Sequence, residues 1–156
     1  MVILGIDPGT ARLGYGVIKE EGKKLSLIEY GCLEPAKGTS KAERLVGVHN
    51  KVVELIEKHR PGSLAIEKLF FFKNQKTVLS ISEARGVVLS AAQMQNLQIG
   101  EYTPLQIKQA VTGYGRAEKK QVQKMVQLIL KMKEIPKPDD AADALAAAIC
   151  HSNFLG

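Results

Sequence analysis

Met1-Val2-Ile3-Leu4-Gly5-Ile6-Asp7-Pro8-Gly9-Thr10 opens the chain, and Leu13-Gly14-Tyr15-Gly16-Val17-Ile18 follows after Ala11 and Arg12. Val2 to Ile6 is a short apolar run stopped by a turn signal, the pattern of a strand buried on both faces. Pro8 and Gly9 end it in a tight turn, and Leu13 to Ile18 is near enough to return as its hairpin partner. Asp7 then stands at the carboxyl end of a central strand, where open α/β sheets bind their ligands. A carboxylate before Pro-Gly also suits a plainer task, accepting the N–H groups of the turn beyond it. The choice depends on how many other carboxylates arrive beside it.

Working outward, Leu25 to Leu33 reads as a third strand that completes an antiparallel meander. Ser40 and Glu43 have the spacing of a capping box, and Leu45, Val48, Val52 and Ile56 make the buried stripe of the helix they open. Lys58, His59 and Arg60 close that helix at its negative end, before Pro61-Gly62. Ser63 to Ile66 is the next buried strand, and it ends in Glu67. The long helix between lets this strand lie parallel to the first, so as neighbours they would present Asp7 and Glu67 side by side. A helix rich in small residues follows over about Thr77 to Asn96, with one face for its own sheet and another for a second subunit. Then come a fifth strand over Leu97 to Tyr102, a short helix opened by Thr103-Pro104-Leu105-Gln106, a basic helix over Ala117 to Lys133, and a last helix from Asp139. The expected fold is α/β, a five-stranded mixed sheet flanked by helices, its first three strands antiparallel and the later ones parallel. One domain over residues 1–156 accounts for the length.

A hydrophobic fraction of 45% and a charged fraction of 24% are ordinary for a globular protein and exclude fibrous and disordered classes. Cys32 and Cys150 are isolated, which argues against zinc and a disulfide framework and for a reducing cytoplasm. The first apolar run is too short for a signal peptide, and no stretch is apolar enough to span a bilayer. From Pro104 to Pro138 the cations Lys108, Arg116, Lys119, Lys120, Lys124, Lys131, Lys133 and Lys137 face only Glu118 and Glu134, a net +6 that equals the charge of the whole chain. One region carrying all the excess suits a polyanion, although a solvated helix face would look the same. Gly113 and Gly115, with Arg116, Lys119 and Lys120 around a helix start, would offer amides and cations to a phosphate.

Asp140 and Asp143 lie three apart and share a helix face, where they could equally serve as a cap and a dipole partner. With Asp7 and Glu67 they make four carboxylates from three elements, each at an end able to meet the same sheet edge. Two unit charges 4 Å apart repel by about 4 kcal/mol at an effective dielectric of 20, so such a gathering asks for a cation. Oxygen-only donors suit Mg²⁺, with Mn²⁺ as a substitute, and the set is large enough for two ions that would split a phosphodiester. Phe70, Phe71 and Phe72 sit in the loop after Glu67. Strand alternation prevents all three from entering one core, so at least one is available to stack on a base, or one anchors the loop.

The motifs Gly5-Ile6-Asp7-Pro8-Gly9 with Gly14-Tyr15-Gly16, Ile66-Glu67 before a Phe loop, Glu83-Ala84-Arg85-Gly86, Gly113 to Lys119, and Asp140-Ala-Ala-Asp143-Ala-Leu-Ala occur in order over nearly the whole chain. In these the sequence resembles the RuvC Holliday junction resolvases, within the ribonuclease H-like superfold. The resemblance implies a homodimeric, Mg²⁺-dependent endonuclease that makes paired nicks in four-way junction DNA and works beside a branch-migration motor. It implies Asp7, Glu67, Asp140 and Asp143 as metal-binding catalytic carboxylates, Lys108 and Lys119 as active-site cations, and Phe70 as the stacking aromatic. Arg12, Arg116 and Lys120 are further candidate DNA contacts, and the spacing to Asp143 selects Asp140 over Asp139.

Three rivals share some of these signals. Asp-x-Gly-Thr also opens the phosphate loop of actin-like ATPases, which need a second lobe that 156 residues leave no room for. Another ribonuclease H-like nuclease would cut RNA or plain duplex. A module that only binds junctions would have dispensable carboxylates.

Overall fold

The computed structural model describes residues 1–69 and 75–155. Five strands form one sheet: β1 (Val2–Pro8), β2 (Leu13–Glu21), β3 (Lys24–Leu33), β4 (Ser63–Glu67) and β5 (Gln98–Tyr102), in the order β3-β2-β1-β4-β5. β1 pairs antiparallel with β2 and β2 with β3, while β4 runs parallel to both β1 and β5. The mixed sheet expected from the sequence is the one observed. β1 extends two residues further than its apolar run, so Asp7 and Pro8 still belong to the strand, opposite Gly14 and Leu13.

Among the described residues five helices cover the sheet: α1 (Lys41–His59), α2 (Gln75–Met94), α3 (Pro104–Thr112), α4 (Lys119–Ile129) and α5 (Asp139–Leu155). Side chains alternate across each strand, so the central strands feed two cores. Leu4, Ile6, Leu64 and Ile66 pack against α1 and α2. Ile3, Ile18 and Ala65 pack with residues of α3, α4 and α5. Both sides of β1 and β4 are thus buried, which is why these strands read as unbroken apolar runs.

Local capping agrees with the sequence at two helices. The Ser40 and Glu43 side chains close a reciprocal box at α1, and Thr103 with Gln106 closes another at α3. Each box satisfies two otherwise orphaned N–H groups, an effect of about 1 kcal/mol. Three helices differ from expectation in a buried residue or in their ends. In α1 it is Leu55, not Leu45, that is fully buried; Leu45 lies half-buried beside α2. α2 starts and ends two residues earlier than its apolar pattern suggests. The basic helix begins at Lys119 rather than Ala117, because the Glu118 N–H turns back to Gln121 Oε1 and Ala117 is drawn into the core. It ends at Ile129, after which Lys131 adopts a positive φ of 52° that a helix cannot continue.

Candidate active site

Ile6 pairs in register with Ile66 across the parallel β1–β4 ladder. Asp7 and Glu67 are the next residues on each strand, so they leave the same sheet end side by side. Alternation sets their face. Ile3 and Ala65 belong to the core beneath α5, and Asp7 and Glu67 stand an even number of residues beyond them. Both carboxylates therefore belong to the α5 side.

Glycines bring α5 down onto that face. A Cβ at Gly5 would overlap the Ala144 carbonyl, one at Gly16 would stand 2.5 Å from Leu145 Cδ2, and one at Gly14 would overlap the Asp140 backbone. Gly14 is the cross-strand partner of Asp7. The helix start is thus pressed against the strand residue opposite Asp7, and Asp140 and Asp143 arrive with it. Alternating glycines on one face of a strand are the sequence signal for such a close approach.

The chain's own cations engage part of this cluster. Lys119 Nζ lies 3.3 Å from both Asp139 Oδ2 and Asp143 Oδ2, and Arg12 Nε lies 3.3 Å from Asp140 Oδ2. Asp139 also accepts from Gln123 Nε2 at 3.1 Å and faces outward. These pairs are partly exposed, so each is worth at most about 1 kcal/mol. A pocket of about 270 Å³ opens between β4, α3, α4 and α5, bordered by Glu67, Lys108, Lys119 and Asp143 over an apolar floor that includes Ile107, Val122 and Ala146.

Burial and like charge act strongly on the carboxylates. Burial, with Asp143, Asp140 and Glu67 nearby, pushes the Asp7 carboxyl up to about 8. Glu67 is raised to about 7 by desolvation and then by Asp143, against the pull of Lys108 and Lys119. As a residue Glu67 is exposed, so this rise reflects the pocket wall and the neighbouring charge rather than full enclosure. Asp143 is also raised, by burial that outweighs its bond to Lys119. Lys119 loses some charge stability to partial burial, but Asp143 and Asp139 more than offset it and raise its pKa. Among the described residues, no three of His, Cys, Asp or Glu are grouped closely enough to hold an ion as their side chains stand.

A stability test follows from these directions. Carboxyls with raised native pKa values bind protons more tightly folded than unfolded, so their contribution is full at acid pH and lost as pH climbs through about 7 and 8. Thermal melts in EDTA should show Tm falling between pH 5 and pH 8, and Asp7→Asn should flatten that fall. A variant that melts in parallel with the parent across this range would contradict it.

The family described as Crossover junction endodeoxyribonuclease RuvC matches residues 3–151. The chain belongs to the RuvC family. A RuvC of Petrotoga mobilis is 53% identical over 99% of this chain and 94% of its own length, and one of Fusobacterium nucleatum is 52% identical over 100% and 82%. Thermus thermophilus RuvC in complex with Holliday junction substrate superposes with a TM-score of 0.93 at 36% identity, covering 99% of this chain and 94% of that one. The yeast mitochondrial Holliday junction resolvase, at 14% identity and a TM-score of 0.69, shares the fold. The architecture is the ribonuclease H-like one of the RuvC resolvases.

Of the other candidate residues in this RuvC family member, Lys108 and Lys119 border the pocket, and Arg12 reaches Asp140 from the β1–β2 turn. Arg116, just before α4, and Lys120, in its first turn, are exposed and form no ion pair among the described residues. The glycine turn offers less backbone than expected: Gly113 N–H caps α3 on Gln109 O, Tyr114 N–H bonds Thr112 Oγ1, and Ala117 N–H bonds Tyr114 O. Its cations, rather than those amides, remain available to a phosphate. Phe70, Phe71 and Phe72 lie outside the described residues. Sequence reasoning missed the Arg12–Asp140 pair and the double hold on Asp139, since neither the Arg12 turn nor the α4–α5 packing has a periodic signal.

Proposed function

We propose that this chain is a single nuclease domain over residues 1–156 that resolves four-way DNA junctions by paired symmetric nicks during recombination and repair. The observation that carries the reading is the convergence of three elements at one sheet end: Asp7 and Glu67 follow the paired Ile6 and Ile66, and the α5 start that bears Asp140 and Asp143 is pressed against Gly14, opposite Asp7. An all-oxygen donor set of this kind fits Mg²⁺, or Mn²⁺ in its place, and its size suits two ions. Bound there, such ions would activate a water and stabilise the leaving oxygen of the phosphodiester. Asp7, Glu67, Asp140 and Asp143 would hold them, and because the Asp7 and Glu67 carboxyls are raised, loading would release protons and tighten with rising pH.

Lys108 and Lys119 lie on the pocket wall, where they bind the phosphate flanking the cut and draw the backbone toward the carboxylates. Arg12, Arg116 and Lys120 extend that contact over the duplex arms, and Phe70, with Phe71 and Phe72 beside it, stacks on bases at the crossover. Two copies act together. α2 supports this, burying Ala84, Val88, Ala91 and Ala92 on its own sheet while Leu79 stays 63% exposed, and a groove lined by Val46 of α1 and Val87 of α2 lies open between the two helices. By family resemblance the dimer works with a branch-migration motor in the cytoplasm. Among the described residues no helix is long and apolar enough to cross a membrane.

Offering the purified protein a four-way junction, a linear duplex and an RNA/DNA hybrid in Mg²⁺ tests the proposal. Paired nicks confined to the junction are expected, and equal cutting of duplex or hybrid would favour a general ribonuclease H-like nuclease. Lys119→Ala should weaken junction binding at least threefold and make the slope of log affinity against log salt shallower by about 1. A slope equal to that of the parent would remove Lys119 from the phosphate contacts.

A further inference from the structure

The Glu83-Ala84-Arg85-Gly86 motif has no part in the chemistry above, yet Arg85 reaches the strand end that carries Glu67. Its side chain is only 14% exposed. From α2, Arg85 Nε donates to the Glu67 main-chain carbonyl at 3.3 Å, and the guanidinium also pairs with the Glu101 carboxylate on β5. The N–H of that same peptide unit, belonging to Lys68, donates to Tyr102 O at 2.7 Å. The Glu67–Lys68 peptide is thus held at both ends, by the β5 backbone on one side and by Arg85 on the other. Fixing this plane fixes ψ of Glu67, and with it the direction from which its side chain departs.

We infer that Arg85 is a positioning residue for Glu67: by clamping the carbonyl that follows the carboxylate-bearing Cα to Glu101, it sets where the Glu67 carboxylate can reach. A planar guanidinium does this well because its donors have fixed mutual geometry, so two contacts determine its place and orientation together. Lysine at the same position keeps a charge for Glu101 but cannot hold both acceptors in one rigid plane. Ile66 and Glu101 are register partners, so the clamp acts from the α2 face of the sheet, opposite the one Glu67 serves.

The inference rests on Glu67 as a metal-binding carboxylate, and the experiment separates the two. Mn²⁺ affinity of the full chain is read from the electron paramagnetic resonance of free Mn²⁺, alongside Tm in EDTA and kcat and KM for junction nicking. Arg85→Lys should keep Tm within a few degrees of the parent, weaken Mn²⁺ binding about 10-fold, lower kcat by a similar factor and leave KM within twofold. Arg85→Ala should shift the same quantities further. In a Glu67→Gln background, Arg85→Lys should weaken Mn²⁺ binding no more. A lowered Tm with Mn²⁺ affinity and kcat unchanged in Arg85→Lys would overturn the positioning role, as would full additivity with Glu67→Gln. If Glu67→Gln alone leaves Mn²⁺ affinity intact, the metal reading of Glu67 fails first and this inference falls with it.

Discussion

Asp7→Asn should lower nicking of a synthetic four-way junction in Mg²⁺ by more than about 10³-fold, a rise of about 4 kcal/mol in the barrier. The change is nearly isosteric, so the β1–β2 turn and the register of Asp7 with Gly14 are kept. What is lost is the anionic oxygen at the centre of the cluster, the group on which Asp143, Asp140 and Glu67 all act. Junction binding in Ca²⁺ or EDTA should stay intact or tighten, because the amide keeps the shape of the carboxyl and brings no negative charge to the face that meets the phosphates. The same variant in EDTA at pH 8 should melt at least about 2–4 °C higher than the parent, since a charge the fold disfavours is gone. Nicking at the parent rate would reject the metal mechanism. Loss of binding together with cleavage would instead make Asp7 a structural turn residue.

Gly14→Ala carries the second large effect, and it tests how α5 is seated. The added methyl would overlap the Asp140 carbonyl and stand 2.8 Å from Asp140 Cβ, with backbone rather than a flexible side-chain tip in the way. The helix start must lift, and Asp140 and Asp143 move with it. A displacement near 1 Å costs a positioned site about 10²-fold in rate, and overpacking of this kind costs about 1–3 kcal/mol of stability. The expected result is a folded protein with Tm several degrees lower and nicking reduced about 100-fold. Gly47→Ala on α1 provides the control, because its nearest neighbour, Leu33 Cδ2, is 4.0 Å from the new Cβ. It should leave nicking unchanged and, by improving helix propensity, cost no stability. Equal nicking by Gly14→Ala and the parent would show that α5 is not held to the sheet by this contact.

Much of the frame was legible because its signals are local. The apolar run Val2 to Ile6, the Pro-Gly stop, the Ser40–Glu43 and Thr103–Gln106 boxes and the long helix before Ser63 each act within a few residues, and each corresponds to an observed element. The crossover rule then joins β4 to β1 and brings Asp7 and Glu67 together from the sequence alone. Errors gathered where tertiary contacts override local preference. Ala117 fits a helix by propensity, but it is drawn into the core of α3 to α5 while Glu118 turns back on Gln121. Leu45 fits the buried stripe, yet the sheet covers Leu55 instead.

The sequence by itself determined the elements, their order, the strand ends that bear Asp7 and Glu67, and a basic segment whose net charge is that of the whole chain. It did not determine how closely α5 lies on β1 and β2, which side chains hold Asp139 and Asp140, or what secures the peptide after Glu67. Those depend on contacts between residues far apart in the chain: Gly14 under Asp140, Arg12 on Asp140, and Arg85 on Glu67 and Glu101. Periodicity and capping report only forces that act along the chain. Close approach between elements and pairing of charges appear once the chain has folded back on itself.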